Sequence, residues 1–293
     1  MSDAPLPTWV ASRLDGHQPG RGVLEVLRSL EQHARRLSYA SAAQAGELAG
    51  VNAATVVRAA QQLGYPGWPQ LRAEVRSRYL SRLSATEVLA EHDGAEGVGV
   101  AAVRQDLHNL QDLAGLLDED QLSRVARILT DARVTLVVGS GSFAAPGLVL
   151  AHGAQLIGHD VRLERGGGTV LLNAFSLLRP GDALVVLHLW RTPRDLVQVA
   201  RMAAGRGIRL VVIGDSARLG IAALADEFVL VPSEGASMFP SLVPSVVIAQ
   251  ALVAALIEAD RPAAARAADA AEETWRTFRV FPDELEALPP DVQ

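Results

Sequence analysis

The sequence predicts an α/β protein: an all-α N-terminal part that carries a helix-turn-helix, then a layered domain built on a parallel sheet. Three observations predict it. From Gly22 to about Tyr79, apolar residues recur at helical spacing. After Arg133, short β-branched runs alternate with helical segments, the rhythm of a layered α/β domain. The charge also divides. Residues 1–82 hold ten arginines against six acidic residues, a net +4; residues 83–293 hold seventeen against twenty-seven, a net −10. A basic small module joined to an acidic larger one suits a polyanion at the first part alone, although +4 is also within reach of chance.

The elements follow in order. Residues 1–21 are rich in Pro and Gly and are expected to be flexible. Leu24, Leu27, Leu30 and Leu37 mark one helical face. Ser41 can cap a short helix, AAQAGELAG, and Asn52 can cap the next, AATVVRAAQQL, by accepting the N–H of Thr55. Gly64 stops that helix and Pro66-Gly67 turns the chain. A fourth helix is expected over Trp68–Leu80, a linker at 93–99, and helices at about 100–117 and 119–130. The runs 134–138, 182–189, 209–213 and 227–231 lack polar alternation, as strands covered on both faces do. Helices are expected near 144–157, 169–177, 194–205, 241–258 and 261–276. The division expected is a helix-turn-helix domain at 22–82, a linker and helix at 83–119, an α/β domain at 120–276 and a tail at 277–293.

Composition narrows the function. No cysteine is present, which removes disulfides and thiolate metal sites and fits a cytoplasmic protein. No apolar run reaches the roughly 18–20 residues of a membrane span, and MSDAPLPTWVASRLDG lacks a secretory pattern. His152 and His159 sit seven apart on an expected helix face, without a third ligand for zinc. No metal or cofactor is expected. No nucleophile elbow or phosphate-binding Walker loop occurs.

The break Gly50-Val51-Asn52 between two short helices is a helix-turn-helix spacing. Val51, Val56 and Leu63 can face inward. That leaves Asn52, Ala53, Ala54, Thr55 and Arg58 on the leading face, slim enough to enter a major groove. Arg58 can pair with guanine or hold a phosphate, and Thr55 can meet a phosphate or a thymine methyl. By spacing alone, a plain helical bundle explains the pattern equally well. The stretch ELAGVNAATVVRAAQQLGYPGWPQLRAEV resembles the N-terminal domain of the RpiR family of bacterial transcriptional regulators. The matching residues are Thr55, Val56, Arg58, Leu63, Gly64, Tyr65, Gly67 and Trp68, with Asn52 where the family usually has Ser. The resemblance implies a dimer or tetramer that binds double-stranded operator DNA, with Ser41 and Tyr65 added to the candidate DNA-contacting residues.

In that family the second half is a SIS-type α/β sandwich that binds phosphosugars. VTLVVGSGSFAAPGLVLAHGAQLIGHDVRL resembles its first strand, loop and helix, and IRLVVIGDSARLGIAALADEFVLV its later strands, ending in Ala225-Asp226. In the first loop, Ser140, Gly141 and Ser142 can hold an anion. The string Gly139 to Ala144, with Glu164 further on, also reads as a dinucleotide motif, or as a tight turn without a ligand. The second loop departs from the family. His188, Leu189, Trp190, Arg191, Thr192 and Pro193 stand where a phosphosugar loop usually has Ser-x-Ser-Gly-x-Thr. Trp190 offers an apolar face, or fills a core or an interface; Arg191 and Arg194 offer planar donors, with Asp195 as a partner. Ser233, Glu234, Ser237 and Ser241 can complete a pocket at the strand ends or serve only as a solvated loop.

These readings converge on a DNA-binding regulator whose second domain dimerises and senses a small phosphosugar or carboxylate effector. No catalytic residue is assigned. The alternative is a sugar-phosphate isomerase, for which His188 and Glu234 are the acid–base candidates.

Overall fold

The computed structural model describes residues 6–14, 18–91, 98–190, 192–216 and 221–281. The N-terminal part is helical: α1 (Thr8–Leu14), α2 (Arg21–Gln32), α3 (Ala34–Leu37), α4 (Ala42–Ala49), α5 (Ala53–Gln62), α6 (Trp68–Arg82) and α7 (Ala85–Glu91). One core joins Val10, Leu14, Leu27, Leu37, Val56, Leu63, Trp68 and Leu71. The expected loose N-terminus therefore contains a helix. Val10 and Leu14 bury one side of α1, and the Arg13 guanidinium donates to Leu63 O at 3.3 Å, satisfying a carbonyl at the end of α5. The expected long helix through Leu37 breaks at His33, so that Leu37 comes from α3.

The turn between α4 and α5 follows from local chemistry. Ser41 and Gln44 form a reciprocal capping box on α4. Gly50 takes the left-handed φ of 67° that ends this helix. Asn52 then caps α5, its Oδ1 accepting from Thr55 N at 2.9 Å; such a cap contributes about 1 kcal/mol. Val56 and Leu63 point into the core, and Val51 packs beside them half-buried.

Two long helices lead into the second half, α8 (Val98–Leu116) and α9 (Glu119–Asp131). Most of the expected 93–99 linker lies outside the described residues. Then come β1 (Thr135–Val138), α10 (Ala144–Leu156), β2 (Val161–Glu164), α11 (Gly168–Ser176), β3 (Ala183–His188), α12 (Arg194–Gly205), β4 (Arg209–Gly214), β5 (Glu227–Leu230), α13 (Val243–Ala259) and α14 (Arg261–Phe278). Among the described residues the five strands form one sheet, ordered β2-β1-β3-β4-β5 and parallel at every pairing. Successive side chains leave opposite faces of a strand. Val137, Val185, Val211 and Val229 accordingly join α9, α10 and α13, while Leu136, Leu184, Leu210 and Val212 join α11 and α12. The result is a three-layer sandwich.

The strand β2 was not among the expected runs. It lies at the sheet edge with Arg162 exposed and Glu164 half-buried, so it lacks the continuous apolar run of the central strands. Carboxylates tie down the strand starts. Asp182, only 2% exposed, accepts from Val134 N at 3.2 Å, Arg179 N at 2.8 Å and the Arg133 guanidinium at 2.7 Å. Asp226 of the Ala225-Asp226 pair accepts from Leu210 N at 2.7 Å and Arg209 Nε at 2.8 Å. Among the described residues, no single helix is long and apolar enough to cross a membrane.

Candidate functional site

Two features are candidates for function: a helix-turn-helix with an open leading face, and the loops that leave the C-terminal ends of the strands. On α5, Asn52, Ala54 and Arg58 are exposed, while Ala53 and Thr55 are half-buried. The Thr55 hydroxyl donates to Asn52 Oδ1 at 2.9 Å. Its methyl lies close to position 22, where a Cβ would come within 3.2 Å of it. Thr55 is thus partly committed to holding the turn. Ser41 is exposed at the start of α4, with its hydroxyl engaged in the capping box.

Tyr65 departs from expectation. It is 9% exposed, lies under the Arg13 guanidinium at 4.7 Å and belongs to the helical core. Burial pushes its phenol well above the ordinary range. Its aromatic ring serves packing and not the exposed face of α5, because α1 covers this end of the helix.

At the strand ends, the order reverses direction between β1 and β3, which is where ligands of open parallel sheets collect. The first loop passes Gly139, where a Cβ would meet Phe143 O at 2.4 Å, and Gly141, at φ 60°. These glycines let the chain turn tightly, leaving Ser140 half-buried and Gly141 and Ser142 exposed at the crevice. Glu164 accepts from Gly166 N at 2.6 Å, which commits it to its own turn and away from the ribose role of a dinucleotide site. His188, 8% exposed, meets the ring of Phe143 edge-on at 4.7 Å, so the two loops touch here.

Trp190 leaves β3 with φ 65°, a left-handed conformation that costs a non-glycine residue roughly 1–2 kcal/mol. Hydrogen bonds from both its backbone and its ring help hold it there. Its backbone N–H donates to Asp215 Oδ2 at 3.2 Å, and its indole Nε1 donates to Leu80 O of α6 at 3.2 Å. Arg191 lies outside the described residues. Arg194 is exposed at the start of α12. Asp195 accepts from Gly168 N at 3.0 Å. Ser233 donates to Asp215 Oδ2 at 3.1 Å. Glu234 pairs with the buried Arg76 of α6 and lies 3.9 Å from Arg72; its backbone oxygen accepts from Asn109 Nδ2 at 2.8 Å.

The expected effector residues therefore separate. Ser140, Gly141 and Ser142 follow β1 and His188 ends β3, the neighbouring strands between which the sheet order reverses. Trp190, Ser233 and Glu234 line a cavity of about 90 Å³ whose other wall is α6 and α8, including Arg76, Leu80 and Asn109. Sequence reasoning missed Asp215, Phe143, Arg76 and Asn109. Of these only Asp215 carried a signal, since it directly follows a buried strand. The expected shared helix face of His152 and His159 also fails: α10 ends at Leu156, and His159 lies beyond the left-handed Gly158. No group of three His, Cys, Asp or Glu residues that could hold a metal occurs among the described residues.

No protein-family model matches the chain. It is 28% identical over 201 residues to the HTH-type transcriptional regulator HexR of Pseudomonas aeruginosa, a match that covers 68% of this chain and 69% of that one. Its fold is similar to the sugar isomerase domain of an RpiR transcription factor from Sphaerobacter thermophilus (TM-score 0.57, 24% identity, 61% of this chain and 99% of that one). It is also similar to the Vibrio vulnificus NanR protein complexed with ManNAc-6P (TM-score 0.57, 18% identity, 94% of this chain and 100% of that one). A helical N-terminal module joined to a parallel α/β sandwich is the architecture the chain shares with these proteins. Over about two thirds of its length its sequence is similar to that of a transcriptional regulator.

Proposed function

We propose that this chain is a transcriptional regulator of the RpiR type, that it binds double-stranded operator DNA through α5 as a homo-oligomer, a dimer or tetramer, and that an anionic metabolite bound at the SIS-like domain alters that binding. The observation that carries the DNA reading is the exposed tip of α5, where Asn52, Ala54 and Arg58 face outward while Val56 and Leu63 anchor the opposite side. A recognition helix reads base edges with its N-terminal residues, and small side chains let it sit deep in the groove. Arg58 is the base or phosphate contact, Asn52 and Ala54 border the groove, and the capped start of α5 faces phosphate.

The effector reading rests on the strand ends at the β1–β3 switch, where Ser140, Gly141 and Ser142 follow β1 and His188 closes β3, with Arg194 exposed at the start of α12. The relative complexed with ManNAc-6P makes a sugar phosphate the first ligand to test. A carboxylate metabolite is the second, because the β3–α12 loop carries Trp190, Arg191 and Arg194 in place of hydroxyls. The chain acts as a sensor and not as an isomerase, and it works in the cytoplasm.

The test is calorimetric titration with hexose phosphates and with dicarboxylates, followed by operator binding at two salt concentrations with and without each ligand. Operator affinity is expected to fall steeply with salt as counterions are released, and one ligand class to shift it. Salt-independent DNA binding, or turnover of aldose and ketose phosphates at enzymatic rates, would overturn the reading.

A further inference from the structure

Two loops at the C-terminal edge of the sheet reach the DNA-side helix α6. The β3–α12 loop reaches it through the indole of Trp190, which donates to Leu80 O at 3.2 Å. The β5–α13 loop reaches it through Glu234, which pairs with Arg76, and through Gly235 O, which accepts from Arg76 at 3.4 Å. One carboxylate anchors both loops. Asp215 Oδ2 accepts the backbone N–H of Trp190 at 3.2 Å and the hydroxyl of Ser233, the neighbour of Glu234, at 3.1 Å.

We propose that Asp215 is the positioning residue that couples the effector crevice to the helix-turn-helix. Its carboxylate sits on backbone and hydroxyl donors of the kind that bind anions. A phosphate or carboxylate group entering this loop competes with Asp215 for the N–H of Trp190. Displacement removes the bond that keeps Trp190 at φ 65°, and the indole leaves Leu80. The loop of Ser233 and Glu234 loosens with it, which weakens the hold on Arg76. Effector binding thus becomes a differential contact between two states of one element, the requirement for a ligand to shift an equilibrium. The direction of information flow rests on the regulatory reading above; the role of Asp215 in holding α6 does not.

The experiment follows the Trp190 indole N–H by solvent exchange in ¹⁵N-tryptophan-labelled full-length protein, with Trp190→Phe assigning its signal. Asp215→Asn, which keeps the shape and removes the charge, is expected to speed exchange of that indole about tenfold or more and to lower amide protection in the last turns of α6. Ser233→Ala, which keeps the carboxylate, is expected to leave the indole protected. It also serves as the informative variant if Asp215→Asn unfolds, since fast indole exchange in Ser233→Ala, which retains the carboxylate, would show that Asp215 is not what holds the indole and would overturn the proposal. On operator DNA, Asp215→Asn and Trp190→Phe are expected to change affinity in the same direction and non-additively, by more than the few-tenths kcal/mol scatter of independent sites. Unchanged indole protection in folded Asp215→Asn, or simple addition of the two effects, would overturn the proposal. The exchange measurement needs neither DNA nor effector, so its failure is distinct from failure of the regulatory reading.

Discussion

Replacing Arg58 with alanine tests the proposed DNA-facing role of α5 at its most informative position. Arg58 is exposed on α5 and makes no hydrogen bond or ion pair among the described residues. Truncation therefore removes nothing that the folded chain uses, and alanine is a slightly better helix former. Fold stability is expected to change by no more than about 0.5 kcal/mol, as for other exposed substitutions. Binding is different. A bidentate contact to guanine is worth about 1–3 kcal/mol, which corresponds to a roughly 5- to 150-fold rise in Kd. A phosphate contact would instead weaken all duplexes alike and reduce the salt slope by about one. Fluorescence anisotropy separates these cases, using an operator duplex selected from random DNA by the unaltered protein and a scrambled duplex, at two salt concentrations. Thermal melts run in parallel. Unchanged Kd for both duplexes at fixed salt would remove Arg58 from the interface. A large drop in melting temperature would show that Arg58 supports the fold and refute the reasoning from exposure.

Asn52→Ala removes the acceptor that caps α5; the helix is expected to lose about 1 kcal/mol, read as faster amide exchange confined to its first turns and restored by Asn52→Ser. Asp182→Ala strips two backbone N–H groups and Arg133 of their shared acceptor; a loss of about 2–3 kcal/mol is expected in the urea transition of the sheet. Burial holds the His159 imidazole below its usual value, so the unfolded chain binds more protons as pH falls through about 6.5. Stability is therefore expected to decline over that window, and less steeply in His159→Gln.

Where burial is one-sided or complete, the fold was legible. Val56 and Leu63 on α5 and the unbroken runs of β1, β3 and β4 announce their environments, because periodicity records which way a side chain faces. β2 was hidden by its edge position, where Arg162 and Glu164 interrupt the apolar run. α1 was hidden because proline and glycine around it outweighed the two residues, Val10 and Leu14, that dock it. For the site, glycines and serines marked the first loop, since only a tight turn at a strand end needs them together. The pairing of Glu234 with Arg76 and the bridge from Asp215 to Trp190 left no trace in local pattern. Both depend on how α6 lies against the sheet edge, a three-dimensional fact that no spacing along the chain encodes.

The strictly parallel ladder has a consequence for how such a molecule changes its preferences. Every strand ends at the same rim, and the pairing of β3 with β4 closes at His188 and Gly214, just before the segments that carry Trp190 and Asp215. Chemistry beyond the rim can be rewritten without disturbing a single rung beneath it. A chassis of this kind separates what keeps the molecule standing from the chemistry its rim presents.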